Sequence, residues 1–275
     1  MKTWLLGGGD ESGLLGDRAL THGLGVFETM LVVNGRLIRW DLHFRRLESG
    51  CHRLGIDAPD AGAVERELGS ALEGIAAPRA RVRVMQTAGA GGLRELAGRT
   101  GRTILSVEAL GAVPDSIEVA TSPWPRNEGS PVAGVKCSSY AESLIALDHA
   151  RRAGVDELIF PNTRGMLCEA ATANVFVVTG GSVVTPPVSS GCLSGTTRGR
   201  ILEWAGSLGI SSEERPVSMD EAREADELFL TSATRGVVWV SRWDDRAYAD
   251  RRVTARLRQA FEDSLGLDLQ GRSGG

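Results

Sequence analysis

The sequence has very little lysine. Of the 31 lysines and arginines among 275 residues, only Lys2 and Lys136 are lysines. Lys136 lies inside the segment AGVKCSSYAES, between Val135 and Cys137. A coding preference for arginine would remove every lysine that arginine can replace. Lys136 is therefore a candidate for a position where arginine cannot serve.

Other features that the sequence lacks narrow the class of protein. The formal net charge of −4 provides no basic surplus for binding nucleic acid backbones. No apolar run approaches the roughly 20 residues of a membrane-spanning helix, and the N-terminal apolar stretch is too short for a secretion signal. The four cysteines form no CxxC pair, so neither a zinc site nor a disulfide framework is predicted. We expect a cytoplasmic enzyme or binding protein without a metal site.

Hydrophobic patterns and turn residues predict two domains that mix helices and strands. The first half reads as a strand, a hairpin turn at Asn34-Gly35, a return strand over RLIRW, two helices and two further strands. Residues 111–116 (GAVPDS) resemble a linker. Further strands and helices follow, up to a last helix that starts at VTARLRQ. The predicted α+β fold has a small N-terminal domain at residues 1–113 and a larger C-terminal domain at residues 114–275.

The apolar surroundings of Lys136 suggest a nucleophile. Burying an unpaired ammonium costs several kcal/mol or else drives off its proton, because an apolar environment disfavours the charged form. A neutral lysine amine forms imines with aldehyde cofactors and can move protons at the neighbouring carbon. A single lysine at the end of a strand is more often an ordinary surface cation. The residue alone does not separate these two interpretations.

Two further segments would suit an aldehyde cofactor with a phosphate group and a pyridine ring. GCLSGTTRGR, residues 191–200, places Gly-Thr-Thr ahead of a predicted helix, where backbone N–H groups and hydroxyls bind anions. The same pattern is typical of an ordinary helix cap. Glu169, in MLCEAATANVFVV, lies in a predicted turn between apolar stretches. It would suit a ring nitrogen, or it would be a solvated turn carboxylate.

In their order and spacing, these segments resemble the class IV (fold type IV) pyridoxal-phosphate enzymes. That family includes branched-chain aminotransferases, D-amino acid aminotransferases and aminodeoxychorismate lyases. The resemblance runs from Asp17 to about Val240. Its motifs are HGLGVFET, the His-x-x-Arg-Leu of HFRRL, the Gly-x-Lys of GVK, CEAATANVF and the phosphate loop GTTR. The resemblance implies a two-domain α+β fold, with pyridoxal 5′-phosphate as the cofactor and the C-terminal domain as the cofactor-binding domain.

The resemblance also implies roles for individual residues. Lys136 would form the imine with the cofactor, and Glu169 would pair with the pyridine nitrogen and keep it protonated. Asn174 would support the turn beside Glu169. Arg46, by register rather than Arg45, would grip the phosphate. The remaining phosphate-side positions would be Gly195, Thr196, Thr197, Ser232 and Ala233.

The choice of reaction rests on fewer residues. Tyr140, a further cofactor-binding candidate, lies four residues after the lysine as in many lyases, and TSATRGVVWV also resembles the lyase pattern. AGAGGLRE lacks the Arg-Gly-Ser-Gly-Gly-Arg-Gly string of some lyases. RVRVMQ offers Arg81 and Arg83, but not the histidine that D-amino acid aminotransferases pair with arginine.

We therefore predict an aminodeoxychorismate lyase that forms 4-aminobenzoate and pyruvate in the folate pathway. The alternative is a class IV aminotransferase that acts on branched-chain or D-amino acids with 2-oxoglutarate. A third hypothesis is a non-catalytic small-molecule binding protein that retains the fold. The resemblance further implies a homodimer that binds a small-molecule substrate and neither nucleic acid nor membranes.

Overall fold

The computed structural model describes residues 1–8, 11–75, 77–94 and 101–270. The chain divides into two compact units, and both combine helices with a sheet, which confirms the predicted two-domain α+β fold. The first unit contains Met1–Ala112 and Val135–Tyr140, and the second contains Val113–Gly134 and Ala141–Leu267. The segment that carries Lys136 groups with the first unit, although the predicted boundary after residue 113 places it in the second domain.

The first unit is an antiparallel sheet covered by helices. The strand order in the sheet is β1-β5-β4-β2-β3. In chain order its elements are β1 (Lys2–Leu5), α1 (Arg18–His22), β2 (Gly25–Val33), β3 (Arg36–Leu37), α2 (Trp40–Leu54), α3 (Ala61–Leu72), β4 (Arg79–Thr87) and β5 (Thr103–Ala109). Its apolar core packs β2, β4 and β5 against α2 and α3.

The hairpin between β2 and β3 forms as predicted, but its second strand is shorter than expected. Asn34 and Gly35 take φ angles of 47° and 76°, as a tight two-residue turn requires. The predicted return strand over RLIRW stops at Leu37, because Arg39 adopts a left-handed conformation and α2 begins at Trp40. Gly55 ends α2 in the left-handed conformation, as the sequence predicts.

The second unit is a larger mixed sheet with four helices. The strand order is β11-β10-β9-β12-β13-β6-β7-β8, and β14 pairs with β13. In chain order its elements are β6 (Ser116–Thr121), α4 (Ala141–Arg152), β7 (Glu157–Pro161), β8 (Leu167–Ala170), β9 (Asn174–Thr179), β10 (Ser182–Thr185), α5 (Thr196–Ser207), β11 (Ser212–Glu214), α6 (Met219–Glu224), β12 (Glu227–Ser232), β13 (Gly236–Trp243), β14 (Arg246–Ala247) and α7 (Arg252–Gln270). Among the described residues, no helix has both the length and the apolar character needed to cross a membrane.

The strand β8 was not expected from the sequence, and neither were β11, β13 and β14. Glu169 was predicted to lie in a turn, but it lies on β8, where it pairs with Phe160 of β7. The strand is only four residues long, and a polar residue interrupts its apolar pattern. The backbone at Glu169 is therefore held by strand pairing and not by a turn.

A buried carboxylate on β12 anchors the start of α7. Glu227 accepts hydrogen bonds from the backbone N–H groups of Val253 and Thr254, each 2.8 Å long, and from the Thr254 hydroxyl. The first N–H groups of a helix have no acceptor within the helix. A negative charge there also interacts favourably with the positive end of the helix dipole. Glu227 thus links the last helix to the centre of the sheet.

We expect Glu227→Ala to lower the free energy of unfolding by about 2–3 kcal/mol, since it leaves buried donors without an acceptor. Urea unfolding followed by tryptophan fluorescence measures the change. The control is Glu224→Ala, which removes a carboxylate that is 78% exposed and paired with Arg246 at the surface. Equal losses in the two variants would contradict the anchoring role.

Candidate active site

Backbone hydrogen bonds hold the Lys136 segment beside strand β2. Val26 and Cys137 form an isolated antiparallel bridge. The Phe27 N–H donates to the Lys136 carbonyl over 2.9 Å, and the Ser138 N–H donates to the Gly25 carbonyl over 2.8 Å. Lys136 is therefore positioned by the main chain of a core strand, and it does not belong to a strand of its own.

Two glycines at the start of β2, Gly23 just before the strand and Gly25 as its first residue, permit this close approach. Gly23 has a φ of 68°, which side chains with a Cβ rarely adopt, and its carbonyl accepts the hydroxyls of Ser138 and Ser139. A Cβ on Gly25 would lie 3.1 Å from the Ser138 hydroxyl and 3.0 Å from the Gln86 carbonyl. The glycine pattern of HGLGVFET thus has a structural reason, which is to admit the lysine segment.

An aromatic pair and a second cation surround the lysine amine. Lys136 Nζ lies 4.5 Å from the centre of the Phe27 ring and 5.4 Å from that of Tyr140. The two rings meet edge to face at 5.2 Å. The Arg83 guanidinium lies 4.0 Å from the Phe27 ring, so two cations contact one buried ring. An anionic group would be attracted to this part of the first unit.

Desolvation lowers the pKa of Arg83, with Tyr140 opposing the shift and Arg81 adding to it. The side chain of Arg81, two residues earlier on β4, pairs with Glu108. Both arginines of RVRVMQ are exposed, but they contact different groups. Only Arg83 has its guanidinium over the Phe27 ring.

Next to Phe27, a buried carboxylate joins two residues of the HFRRL motif, His43 and Arg46. Glu28 is 1% exposed, and Arg46 binds both its oxygens through Nε and Nη2 over 2.7 Å each. His43 Nδ1 lies 2.7 Å from the same carboxylate. Burial raises the pKa of Glu28, but the charge and hydrogen bonds of Arg46 and the contact with His43 outweigh it and lower the pKa to about 2.

His43 is held in its neutral form. Burial lowers the pKa of His43, Glu28 opposes this shift, and Arg46 and Lys136 add to it. A carboxylate can only accept, so the neutral ring donates its Nδ1–H to Glu28. The cluster therefore carries one positive and one negative charge, on Arg46 and Glu28.

The first unit thus groups three predicted residues around β2. Lys136 and Tyr140 surround Phe27, and Arg46 binds the neighbouring Glu28. The alternative Arg45 is exposed, whereas Arg46 is half-buried. Binding of the cofactor phosphate by Arg46 stays a prediction, and the structure adds its bidentate pairing with Glu28.

In the second unit, the peptide of Leu193 connects two predicted residues. Its N–H donates to Glu169 Oε2 over 2.9 Å, and its carbonyl accepts from Asn174 Nδ2 over 2.7 Å. The predicted support by Asn174 is thus indirect, because Leu193 lies between the two side chains. Arg126, which was not predicted, has its Nε 3.5 Å from Glu169 Oε1.

The predicted phosphate loop begins helix α5, close to Asn174. Gly195 is the N-cap, and Thr196 and Thr197 form the first turn. A Cβ on Gly195 would lie 2.0 Å from Asn174 Oδ1, so the loop requires glycine there. The first N–H groups of α5 lie in a helix terminus suited to an anion.

The last two predicted residues follow the strand that pairs with Asn174. Thr231 of β12 is the register partner of Asn174, Ser232 ends the strand, and Ala233 lies in the next turn. The Thr231 hydroxyl is buried and has no hydrogen-bond partner within the described part of the chain. The second unit therefore brings Glu169, Asn174, the start of α5 and the end of β12 into one neighbourhood.

Sequence reasoning missed Glu28, His43 and Arg126 as site residues. The first two lie inside quoted motifs, and an acid in the apolar run VFETMLVV is itself a sign of a buried, paired charge. Arg126 gave no such signal, because its contacts lie far away in the sequence.

A family model described as amino-transferase class IV matches residues 25–243. The chain belongs to the class IV aminotransferase family. It is therefore an enzyme of this family, and the hypothesis of a non-catalytic binding protein is not retained. The match includes both the β2 segment beside Lys136 and the second unit up to the end of β13.

The proteins to which this class IV enzyme is similar include both aminotransferases and a lyase. A branched-chain amino acid aminotransferase from Pseudomonas aeruginosa is 28% identical over 261 residues, covering 89% of this chain and 85% of the relative. The crystal structure of 4-amino-4-deoxychorismate lyase from the same organism has a TM-score of 0.87 at 27% identity, covering 96% of this chain and 99% of that one. A fold IV transaminase from Curtobacterium pusillum has a TM-score of 0.82 at 29% identity, covering 92% of this chain and 89% of the other.

The Glu28 cluster predicts a pH-dependent stability in the apoenzyme. The pKa of Glu28 falls from 4.5 to about 2 on folding, so its stabilisation is present above pH 4.5 and is lost as the pH falls toward 2. The shift corresponds to about 3 kcal/mol. We expect Glu28→Gln to be destabilised by about that amount at pH 7, and the difference from the natural protein to shrink at pH 3.

Urea unfolding at pH 7, 5, 4 and 3 measures this difference. Glu48→Gln, an exposed substitution on the same helix as Arg46, is the control and should follow the natural protein at each pH. A Glu28→Gln deficit that is the same at pH 3 as at pH 7 would rule out the charge as its cause.

Proposed function

We propose that this enzyme is a pyridoxal-phosphate-dependent aminotransferase that moves the amino group of a branched-chain amino acid to 2-oxoglutarate, and that it works as a cytoplasmic homodimer. The observation that carries the proposal is the position of Lys136, held by the main chain of β2 with Phe27, Tyr140 and Arg83 around its amine. The name of the aminotransferase relative from Pseudomonas aeruginosa supports this choice of reaction.

The residues of both units fit pyridoxal phosphate by their chemistry. Lys136 supplies an amine for the aldehyde, and Glu169 supplies a carboxylate for the ring nitrogen. The start of α5 supplies backbone N–H groups for a phosphate, and the buried Thr231 hydroxyl is a further polar group that lacks a partner among the described residues. When bound, the cofactor withdraws electrons from the substrate carbon next to the amino nitrogen, so that this carbon can lose a proton.

The chain's own groups then perform defined tasks. Lys136 Nζ would hold the cofactor through its aldehyde group and would accept the proton from the substrate α-carbon. Glu169 retains a negative charge and so favours a proton on the ring nitrogen. Neutral His43 fixes Glu28, which in turn orients Arg46.

Substrate recognition in this proposal uses the cation and rings beside the lysine. Arg83 would bind a carboxylate of 2-oxoglutarate, since a guanidinium forms charge-assisted hydrogen bonds with carboxylates. The Phe27 and Tyr140 rings would contact the apolar side chain of the amino donor.

A second candidate function is aminodeoxychorismate lyase. The closeness of Tyr140 to the Lys136 amine favours it, because a tyrosine at that spacing was the residue that indicated the lyase. The similarity to the lyase structure from Pseudomonas aeruginosa also supports it. Lys136 would remove the ring proton next to the nitrogen and later protonate the leaving enolpyruvyl group.

Two product assays on the same preparation separate these functions. We expect glutamate to form from leucine, isoleucine or valine with 2-oxoglutarate, and no 4-aminobenzoate to form from aminodeoxychorismate. The reverse pattern would establish the lyase and overturn the aminotransferase proposal.

The scarcity of lysine makes the attachment point directly testable. Borohydride reduction of the cofactor-loaded enzyme should fix the cofactor on Lys136 and leave Lys2 unmodified, as read by peptide mass spectrometry. Lys136→Ala should lose turnover by at least about a thousandfold, because no other amine in the chain's interior can replace it. Lys2→Ala is the matched control. Labelling of Lys2 alone, or an active Lys136→Ala enzyme, would refute the site.

Arg83 and Arg81 form a matched pair on one strand. We expect Arg83→Gln to raise the KM for 2-oxoglutarate about 10- to 100-fold, since a hydrogen bond to a charged group contributes about 1.5–3 kcal/mol. The KM for the branched-chain amino acid should change much less. Arg81→Gln removes an exposed guanidinium paired with Glu108 and should leave both KM values near those of the natural enzyme. Similar KM values for the two variants would contradict the role of Arg83.

A further inference from the structure

Arg126 is fixed beside Glu169 by its main chain. Its N–H donates to the Pro161 carbonyl over 2.8 Å, and it forms a parallel bridge with Asn162. Both contacts tie it to the end of β7, the strand that pairs with β8 through Phe160 and Glu169. The arginine and the acid are thus both held by backbone contacts with β7 or with the residue that follows it.

The side chain of Arg126 is held as firmly as its backbone. The guanidinium lies over the buried ring of Phe160, 4.2 Å from its centre. Nη1 donates to Glu142 and Nη2 to the buried hydroxyl of Ser143, each over 2.8 Å. Two acceptors at one end and a ring on one face leave the guanidinium little freedom to turn.

The remaining nitrogen of this guanidinium faces Glu169. Arg126 Nε is buried and has no hydrogen-bond partner among the described residues, and it lies 3.5 Å from Glu169 Oε1. Both side chains are only 15% exposed, so solvent screens this pair weakly. Glu142, by contrast, is 70% exposed and neutralises Arg126 less effectively.

The other oxygen of Glu169 is also occupied. Glu169 Oε2 accepts the Leu193 N–H over 2.9 Å. The carboxylate thus has a cation near one oxygen and a backbone donor on the other, and both favour its ionised form.

We propose that Arg126 is a positioning residue that keeps Glu169 ionised and oriented, so that the proton stays on the ring nitrogen of the bound cofactor. The inference rests on the proposed function, in which Glu169 pairs with that nitrogen. A proton shared between the two groups can lie on the carboxylate or on the nitrogen. The positive charge of Arg126 disfavours a proton on the carboxylate more than a proton on the ring nitrogen, because Arg126 is closer to the carboxylate.

The test is the 15N chemical shift of 15N-labelled pyridoxal phosphate bound to the enzyme, measured from pH 6 to pH 10. This shift reports directly whether the ring nitrogen is protonated, independently of turnover. In the natural enzyme we expect a protonated nitrogen through neutral pH. In Arg126→Met, which keeps a long side chain but removes the charge, the shift at neutral pH should move toward that of an unprotonated nitrogen, because Glu169 then holds more of the shared proton.

A double-variant cycle separates this role from a purely structural one. Once Glu169→Gln has removed the carboxylate, Arg126 is merely a positive charge that repels a protonated ring nitrogen. Adding Arg126→Met to Glu169→Gln should therefore raise the pH at which the nitrogen loses its proton. A structural role for Arg126 predicts no such reversal of sign.

The control is Arg164→Met, which removes a cation of the turn after β7 that is 74% exposed and paired with Glu128. Its ring-nitrogen titration should match that of the natural enzyme. If Arg126→Met does not fold, as judged by urea unfolding, Arg126→Gln is used in its place and has the same expected shift.

The outcomes distinguish this inference from the proposed function. If the natural enzyme binds no pyridoxal phosphate on Lys136, the proposed function fails first. If it binds the cofactor with a protonated ring nitrogen, and the neutral Arg126 variants titrate like the natural enzyme, only the role of Arg126 is overturned.

Discussion

The pairing of the Lys136 segment with β2 is the constraint on which the first unit's chemistry depends. A lysine on a loop without such pairing would sample many backbone and side-chain conformations. Ordering it would cost conformational entropy at each turnover. Here two backbone hydrogen bonds and two serine hydroxyls fix the segment before the side chain begins. This contact requires glycine at positions 23 and 25, since a larger residue would push the Lys136 segment away from the start of β2. The amine therefore reaches Phe27 and Tyr140 from a rigid base.

Arginine provides the cation where buried charges must stay charged. Arginines pair with Glu28, Glu157 and Glu169. The planar guanidinium has several N–H donors, so some of them can bind a carboxylate while the others bind a second group. Lysine would fill such positions less well, because its compact ammonium has no fork and loses its proton more readily on burial. The same property that disqualifies lysine there is required at Lys136, where a permanently charged guanidinium could not form a bond with an aldehyde. The distribution of the two cations in this chain thus follows from their chemistry as well as from coding preference.

Much of the fold and part of the site could be predicted from local sequence signals. The Asn34-Gly35 hairpin, the glycine stop of α2 and the glycine-rich start of α5 depend on neighbouring residues, and the sequence indicates all three. The strand position of Glu169 was not predictable in this way, because β8 is short and is defined by its pairing with β7. The grouping of Val135–Tyr140 with the first unit has the same origin, since it rests on contacts with residues more than a hundred positions earlier. Arg126 acquires its role from Phe160 and Glu169, and no local pattern records such a contact.

The two candidate reactions share their first proton transfer, so the residues that perform it cannot distinguish them. In both proposals, Lys136 would take a proton from the carbon next to the substrate nitrogen, and Glu169 would favour a protonated ring nitrogen. They diverge afterwards, because one substrate carries a leaving group and the other does not. Each also presents a carboxylate that Arg83 would suit, so a cation beside the lysine is compatible with both. Specificity must therefore come from the groups that accommodate the rest of the substrate, and family membership alone leaves that choice to the substrate-side residues of this particular chain.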